Sequence, residues 1–499
     1  MKNVSNFCIF LGISFFLLTS SLIAQVPTES WRPTIHFSPK KNWTNDPNGL
    51  LYYKGEYHLF FQHNPKGNQW GNMSWGHAKS RDLLHWTELP VAIPHDSAYI
   101  FSGCVVWDKS HVSGLGDAKK DLLIAIYTAD YPDTRQEQHL AYSNDDGLTW
   151  VKYAQNPVIN INMKDFRDPN IIWHGPSQQY IMSVVKPHEF AIQFYGSKDL
   201  IHWDVLSQFA RQGDYGMIWE CPSLVEMQIE GSKETKWVLS VSSQGPYKGN
   251  VGMQYFVGYF DGKKFVNDNL KDQVLYVDHG KDFYAAIPFY NGMNSEVFWL
   301  GWALNWSYAG DQPTFPWKGQ MSTARSLRLV QTKAGLRLKQ VFKPDFVAQK
   351  PDFTSKNIEV GAKWNFPLPT LLKDHCYLVE IDLGDMLSGE FMISLDGDAS
   401  NEKFVVGISA STNKIWVDRS KSGKILGAGF EAISEASWFP DRSRKIQLLV
   451  DHSVVELLAA DGTVAISTLR FPQSKSEKLV ISSSSGKLKI PGIKVWKLK

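Results

Sequence analysis

Ser80-Arg81-Asp82-Leu83-Leu84-His85-Trp86 returns, two substitutions apart, as Ser197-Lys198-Asp199-Leu200-Ile201-His202-Trp203. Ser143-Asn144-Asp145-Asp146-Gly147-Leu148-Thr149-Trp150 is a looser copy, and Tyr259-Phe260-Asp261-Gly262-Lys263-Lys264-Phe265 a degenerate one. The closing aromatics lie 64, 53 and 62 residues apart. Between the copies run short β-branched or aromatic stretches bounded by Gly, Asn, Asp or Pro, such as Tyr57-His58-Leu59-Phe60-Phe61 and Trp237-Val238-Leu239-Ser240-Val241. Such stretches read as strands, and long helical periodicity is nearly absent outside the N-terminus. Four short strands in a period near sixty describe a propeller blade, somewhat longer than the ~40–50 residues of common blade repeats. The chain is therefore expected to be all-β, with five blades from residue 35 to about 340 inside a domain spanning 25–340. Lys339-Gln340-Val341-Phe342-Lys343-Pro344 and Gln349-Lys350-Pro351 resemble a connector. Residues 350–499 lose the repeat but stay rich in strands and turns, as expected of a β-sandwich.

Lys2 precedes a run from Phe7 to Ile23 that is apolar apart from Gly, Ser and Thr, and it ends at Ala24-Gln25. Residues 1–24 read as a secretory signal peptide. The run is short for a spanning helix, which needs ~20 apolar residues, so the mature protein is expected to be secreted or periplasmic, without stable membrane insertion. Cys8 would leave with the signal. Cys104, Cys221 and Cys376 are too few for a disulfide scaffold, and no Cys/His cluster has metal-site spacing. Lys and Arg (52) nearly balance Asp and Glu (50), with no basic block, which disfavours nucleic acid as a partner. Most of the 19 Trp and 19 Tyr are expected to serve core packing, and a minority could line a groove for sugar rings.

A propeller brings the innermost strand of each blade to one axis. Asp46, Ser102, Asp168, Glu220 and Asp282 are spaced 56, 66, 52 and 62 residues apart, matching the repeat, and are expected to converge there. Asp46 lies in Trp43-Thr44-Asn45-Asp46-Pro47-Asn48-Gly49, which reads as a strand end breaking into a tight turn. Like charges packed together raise one another's pKa, so such crowding points to function. Glycoside hydrolysis needs two carboxyl groups, one ionised and one protonated. Arg167 is expected to keep Asp168 charged. Glu220, beside Ile218, Trp219 and Pro222, is the better proton donor.

These motifs resemble glycoside hydrolase family 32, the retaining β-fructofuranosidases: invertases, inulinases, levanases and fructan exohydrolases. The likeness rests on the 43–49 stretch, Phe61-Gln62-His63-Asn64-Pro65, Trp70-Gly71, Ser74-Trp75-Gly76-His77, Phe101-Ser102-Gly103, Arg167-Asp168-Pro169 and Glu220-Cys221-Pro222. Trp416-Val417-Asp418-Arg419-Ser420 and Val450-Asp451-His452-Ser453-Val454-Val455-Glu456 extend it to the C-terminal part. Cys104 and Ala324 depart from the family pattern, away from the acids.

The resemblance implies a five-bladed propeller followed by a sandwich. It implies Asp46 as nucleophile, Glu220 as general acid and then base, and Asp168 as stabiliser of the transition state. The fructose pocket carries over to Asn45, Gln62, Trp70, Phe101, Ser102, Arg167 and one tryptophan of Gly301-Trp302-Ala303-Leu304-Asn305-Trp306, either Trp302 or Trp306. No cofactor or metal is implied. The activity implied is that of a fructan β-fructosidase releasing fructose from levan, inulin or sucrose. The alternatives are an endo-acting levanase or inulinase, a fructosyltransferase, a furanosidase acting on arabinose or xylose polymers, and a non-catalytic fructan-binding protein.

Overall fold

The computed structural model describes residues 29–499 apart from 291–295, 344–345, 347–348, 385–388, 399–400, 438–443 and 485–487. The expected signal peptide (1–24) and Pro344 of the connector lie outside the described residues.

Five antiparallel sheets follow one another along the chain, each built on an innermost strand: Asn42–Tyr53, Tyr99–Trp107, Arg167–His174, Glu220–Gln228 and Tyr284–Pro288. We number these blades I to V. Each inner strand packs against the next, and that of blade V against that of blade I, so the ring closes. Apolar side chains fill each of the five junctions. Phe60, Trp75 and Tyr127 lie between blades I and II, and Ile124, Ile126 and Met182 between II and III. Phe194, Trp219 and Phe256 separate III from IV, Met253, Trp299 and Leu329 separate IV from V, and Leu59, Phe61 and Phe298 complete the circuit. Strands covered on both faces have no solvent side, so their sequences are near-continuously apolar rather than alternating. The protein is all-β, a five-bladed propeller followed by a sandwich.

The repeated heptapeptide is the turn between the third and fourth strands of a blade. In blade I, Ser80 Oγ accepts from the Leu83 N–H (2.8 Å), and Asp82 Oδ1 accepts from the N–H groups of Leu84 (2.9 Å) and His85 (2.8 Å). Blade III repeats this with Ser197, Asp199, Leu200 and His202 at 2.9, 2.9 and 2.8 Å. Leu83 and Leu200 both adopt φ 65°. A branched apolar residue is costly in that region, and here the Ser and Asp caps together with burial of the leucine hold it there.

Two six-stranded sheets follow from Phe353 onward, running in the order 353–360, 488–497, 376–382, 445–451, 454–459, 464–469 and in the order 363–365, 477–483, 390–397, 403–409, 414–421, 434–437. They enclose one core that includes Phe391, Phe404, Leu448 and Ile466. The sandwich is locked to the propeller by buried charge. Arg325 Nη1 meets Asp278 at 3.0 Å and Nη2 meets Glu456 at 3.1 Å. Asp451 accepts from the backbone N–H groups of Thr34, Ile35 and His36 and pairs with His36 Nδ1 at 2.7 Å. Burial opposes charge on His36, but Asp451 and Glu456 outweigh it and hold its pKa up to about 9.

Removing one partner from a buried ion cluster strands the others. Arg325→Met should therefore lower the unfolding free energy by about 3 kcal/mol or more, whereas Lys489→Ala, at an exposed pair with Glu359, should leave the denaturation midpoint in place. A loss below about 1 kcal/mol for Arg325→Met would mean that the lock contributes little.

Candidate active site

Each of the five inner strands starts with the same irregularity. Two residues oppose one on the neighbouring strand: Asn45-Asp46, Phe101-Ser102, Asp168-Pro169, Cys221-Pro222 and Ala285-Ala286. A bulge re-aims side chains and frees backbone groups from the ladder. The freed N–H groups find partners on neighbouring blades. Asp168 N donates to Thr128 Oγ1 (3.0 Å), Cys221 N to Asp168 Oδ2 (2.9 Å) and Ala285 N to Ser242 Oγ (3.0 Å). Asp168, Cys221 and Ala285 hold φ of 63°, 47° and 54°.

The stretch around Asp46 is not a strand end. Asn42–Tyr53 is one continuous strand with two register shifts, and Asp46 projects from the first of them. Gly49, at φ 50°, lets this strand close on blade II, since a Cβ there would lie 2.7 Å from Val105.

The bulges surround a cleft of about 550 Å³ lined by Asn45, Asp46, Gln62, Trp70, Phe101, Ser102, Arg167, Asp168, Glu220 and Trp306, together with Asp130, Gln136, Asp165, Met217 and Tyr284. Ten residues expected at the site are thus brought together, one expectation fails, and of the two tryptophan alternatives Trp306 is the one that lines the cleft. Asp282 lies three residues before the blade V bulge, fully buried, where it pairs with Arg419 of the sandwich and accepts from the Tyr308 hydroxyl. Trp302 is buried behind the cleft; its ring packs 4.7 Å from that of Trp306, which itself stacks on Trp43 and is 37 % exposed.

Asp46 accepts from Asn45 Nδ2 (3.1 Å), Ser102 Oγ (2.9 Å) and Cys221 Sγ (3.5 Å). Burial, then the charge of Glu220, pushes its pKa up to about 6. Asp168 is also raised by burial; Arg167 opposes the rise, while Glu220 and Asp46 add to it. The Cys221 thiol lies 3.7 Å from Asp168 as well as beside Asp46. Burial and the three carboxyls push it well above the usual thiol range, so it remains an S–H donor.

Arg167 opposes the rise at Asp168, as expected, and its hydrogen bonds go to other partners. Its Nε donates to Glu220 Oε1 at 3.1 Å, and its Nη1 donates to Gln136 Oε1 (3.0 Å) and Asp165 Oδ1 (2.9 Å). The Tyr284 hydroxyl donates to Glu220 Oε2 at 2.5 Å. Its phenol is pushed well above its usual range by burial and by Glu220, so it stays a donor. Sequence reasoning missed Tyr284, Asp165, Gln136 and Asp130. Tyr284 occupies in blade V the bulge position that Glu220 holds in blade IV, and Asp165 lies two residues before Arg167 on the same side. Both signals were present in the spacing. Asp130 and Gln136 come from the second and third strands of blade II, whose register no repeat revealed. Among the described residues no group of three or more His, Cys, Asp or Glu side chains is placed to hold a metal.

A propeller with carboxylates from three blades in one well is a glycosidase architecture, and the comparisons identify the family. Residues 36–340 match the glycosyl hydrolases family 32 N-terminal domain, and residues 345–497 match the glycosyl hydrolases family 32 C terminal. The chain belongs to glycoside hydrolase family 32. A levanase of Bacillus subtilis (strain 168) is 40 % identical over 94 % of this chain and 71 % of its own length. An invertase of Debaryomyces hansenii is 36 % identical over 88 % of each. The crystal structure of an exo-inulinase from Aspergillus awamori superimposes with a TM-score of 0.88 at 31 % identity, covering 95 % of this chain and 99 % of that one.

The raised pKa of Asp46 has a consequence for stability. Folded, the carboxyl keeps its proton to about pH 6; its ordinary value is 3.8. The native state therefore binds the extra proton between these limits, and stability falls as pH rises through that window. Asp46→Asn should melt above wild type at pH 7, with a margin that shrinks as pH drops towards 4. A margin independent of pH would contradict the burden placed on Asp46.

Proposed function

We propose that this chain hydrolyses β-fructofuranosidic bonds of fructans and of sucrose, releasing fructose from non-reducing ends with retention. The observation that carries the reading is the placement of Asp46 and Glu220 on different blades of one well, each fixed by its own donors. In this reading Asp46 attacks the anomeric carbon and a fructosyl ester forms. Glu220 gives its proton to the departing oxygen, then takes one from the water that breaks the ester. Asp168, anchored by the Cys221 N–H, accepts from the fructose hydroxyls as charge develops at the ring. Tyr284 and Arg167 hold the Glu220 carboxyl from both sides, which fixes its orientation at the cleft.

Exo action is favoured because the well is blind. Asn48, Gln62 and Ser223 are buried, and at the floor of the well Gln62 Nε2 is tied to Asn48 Oδ1 and the Ile100 carbonyl. A separate cavity of about 260 Å³ at the other end shares no lining residue with the well. A polymer cannot thread through the propeller, and a blind well suits a terminal sugar. Secretion is supported by the apolar N-terminal run and by relatives named extracellular exo-inulinase. Among the described residues no helix is long and apolar enough to cross a membrane.

Chromatography of early products from levan and inulin should give fructose alone; a ladder of oligomers would refute exo action. The acid limb of kcat/KM should fall near pH 6, because attack needs Asp46 ionised. Glu220→Gln should lower kcat/KM for sucrose by two orders of magnitude or more, on the ~10²–10⁴ scale of general acid catalysis. It should spare kcat/KM for a p-nitrophenyl fructoside, whose leaving group needs no proton, although turnover of either should then be limited by the slow breakdown of the fructosyl ester. Equal losses on both substrates would remove Glu220 from the acid role.

A further inference from the structure

The inner strands run away from the mouth of the well. Their first residues line it, while Leu50, Cys104, Ile171, Leu224 and Ile287, further along the same strands, line the cavity at the opposite end. Residues that precede a bulge therefore stand nearer the mouth. Tyr99 precedes Ser102 by three residues, which is about 10 Å at ~3.3 Å per residue, and Asp130 is its partner on the neighbouring strand of blade II. Asp130 thus stands roughly one sugar ring above the carboxyls at the bulges, on the level where the departing sugar would lie.

Three carboxylates stand towards this level, and two are already engaged or turned away. Asp165 is held by Arg167 at 2.9 Å and faces His188 at 3.4 Å. Asp133 is 94 % exposed and lies 3.5 Å from Lys164. Asp130 is half-buried and lines the cleft. Its Oδ1 accepts from Gln136 Nε2 at 3.0 Å. Gln136 is itself fixed, because its Oε1 accepts from the Phe166 N–H (2.9 Å) and from Arg167 Nη1 (3.0 Å). Among the described residues no donor meets Asp130 Oδ2.

We infer that Asp130 is a specificity-determining residue, its free carboxylate oxygen accepting a hydroxyl of the sugar on the leaving-group side of the scissile bond. A carboxylate accepts O–H groups strongly and cannot donate. Held by one oxygen through Gln136, Asp130 presents the other in a fixed direction at little entropic cost. The inference rests on the fructosidase reading and names the group that reads the departing sugar.

The test compares two donors that share the fructosyl group. Sucrose carries hydroxyls on its leaving group, and p-nitrophenyl β-D-fructofuranoside carries none. Asp130→Asn and Asp130→Ala should each lower kcat/KM for sucrose about tenfold, the scale of one hydrogen bond to a charged group. Both variants should leave the aryl fructoside within about twofold of wild type, and the retained aryl activity also reports that they fold. Equal losses on both donors would overturn the inference, since Asp130 would then act through Gln136 and Arg167 on the acid itself. An unchanged kcat/KM for sucrose would overturn it too. A wild-type protein that cleaves neither donor would instead sink the fructosidase reading, an outcome distinct from either variant result.

Discussion

Five bulges at the same step of five inner strands decide what this propeller can do. A regular inner strand would bury its side chains against the neighbouring blades on both faces. Opposing two residues to one breaks that alternation, turns side chains towards the axis and frees an N–H at each step. The freed donors are then satisfied across blade boundaries, by Thr128 under Asp168, by Asp168 under Cys221 and by Ser242 under Ala285. Site and scaffold are therefore one hydrogen-bonded network: a carboxylate of the pocket also serves as the cap of the next blade.

Crowding three carboxyls into such a place is unfavourable, since burial and mutual repulsion raise Asp46 and Asp168 together. The surrounding chemistry limits the cost without removing it. Neutral donors from Asn45, Ser102 and Cys221 reach Asp46, and Arg167 donates to Glu220. Elsewhere the fold neutralises buried carboxylates outright, as Arg325 does for Asp278 and Glu456 and Arg419 for Asp282. The difference between the two treatments separates acids that lock the domains together from acids left under strain in the well.

Much of this was legible in the sequence, because the repeated Ser-x-Asp-Leu-x-His-Trp turn sets the period. Its capping bonds recur almost atom for atom in blades I and III. Where the period was trusted too closely, it misled. Asp46 and Ser102 are the second residue of their bulges, Asp168 the first and Glu220 the residue just before, so evenly spaced acids are not structurally equivalent. Extending the same spacing to blade V selected Asp282, which faces the sandwich, and passed over Tyr284, which holds Glu220. Proline after Asp46 suggested a turn, but the inner strand accommodates Pro47 directly after the bulge, where pairing resumes opposite Phe61. The choice between Trp302 and Trp306 depended on which indole lies behind the other, and burial rather than pattern separates them.

The central claim is that Asp46 forms a covalent bond to fructose while Glu220 manages the proton. A Glu220→Gln variant incubated with p-nitrophenyl β-D-fructofuranoside should still form that bond, because the leaving group needs no acid. It should then stall, because no base activates water. Acid quenching, proteolysis and mass spectrometry should find one fructosyl unit on the peptide that carries Asp46. A fructosyl unit on the peptide carrying Asp168, or no adduct despite release of p-nitrophenol in a burst, would contradict a nucleophilic Asp46.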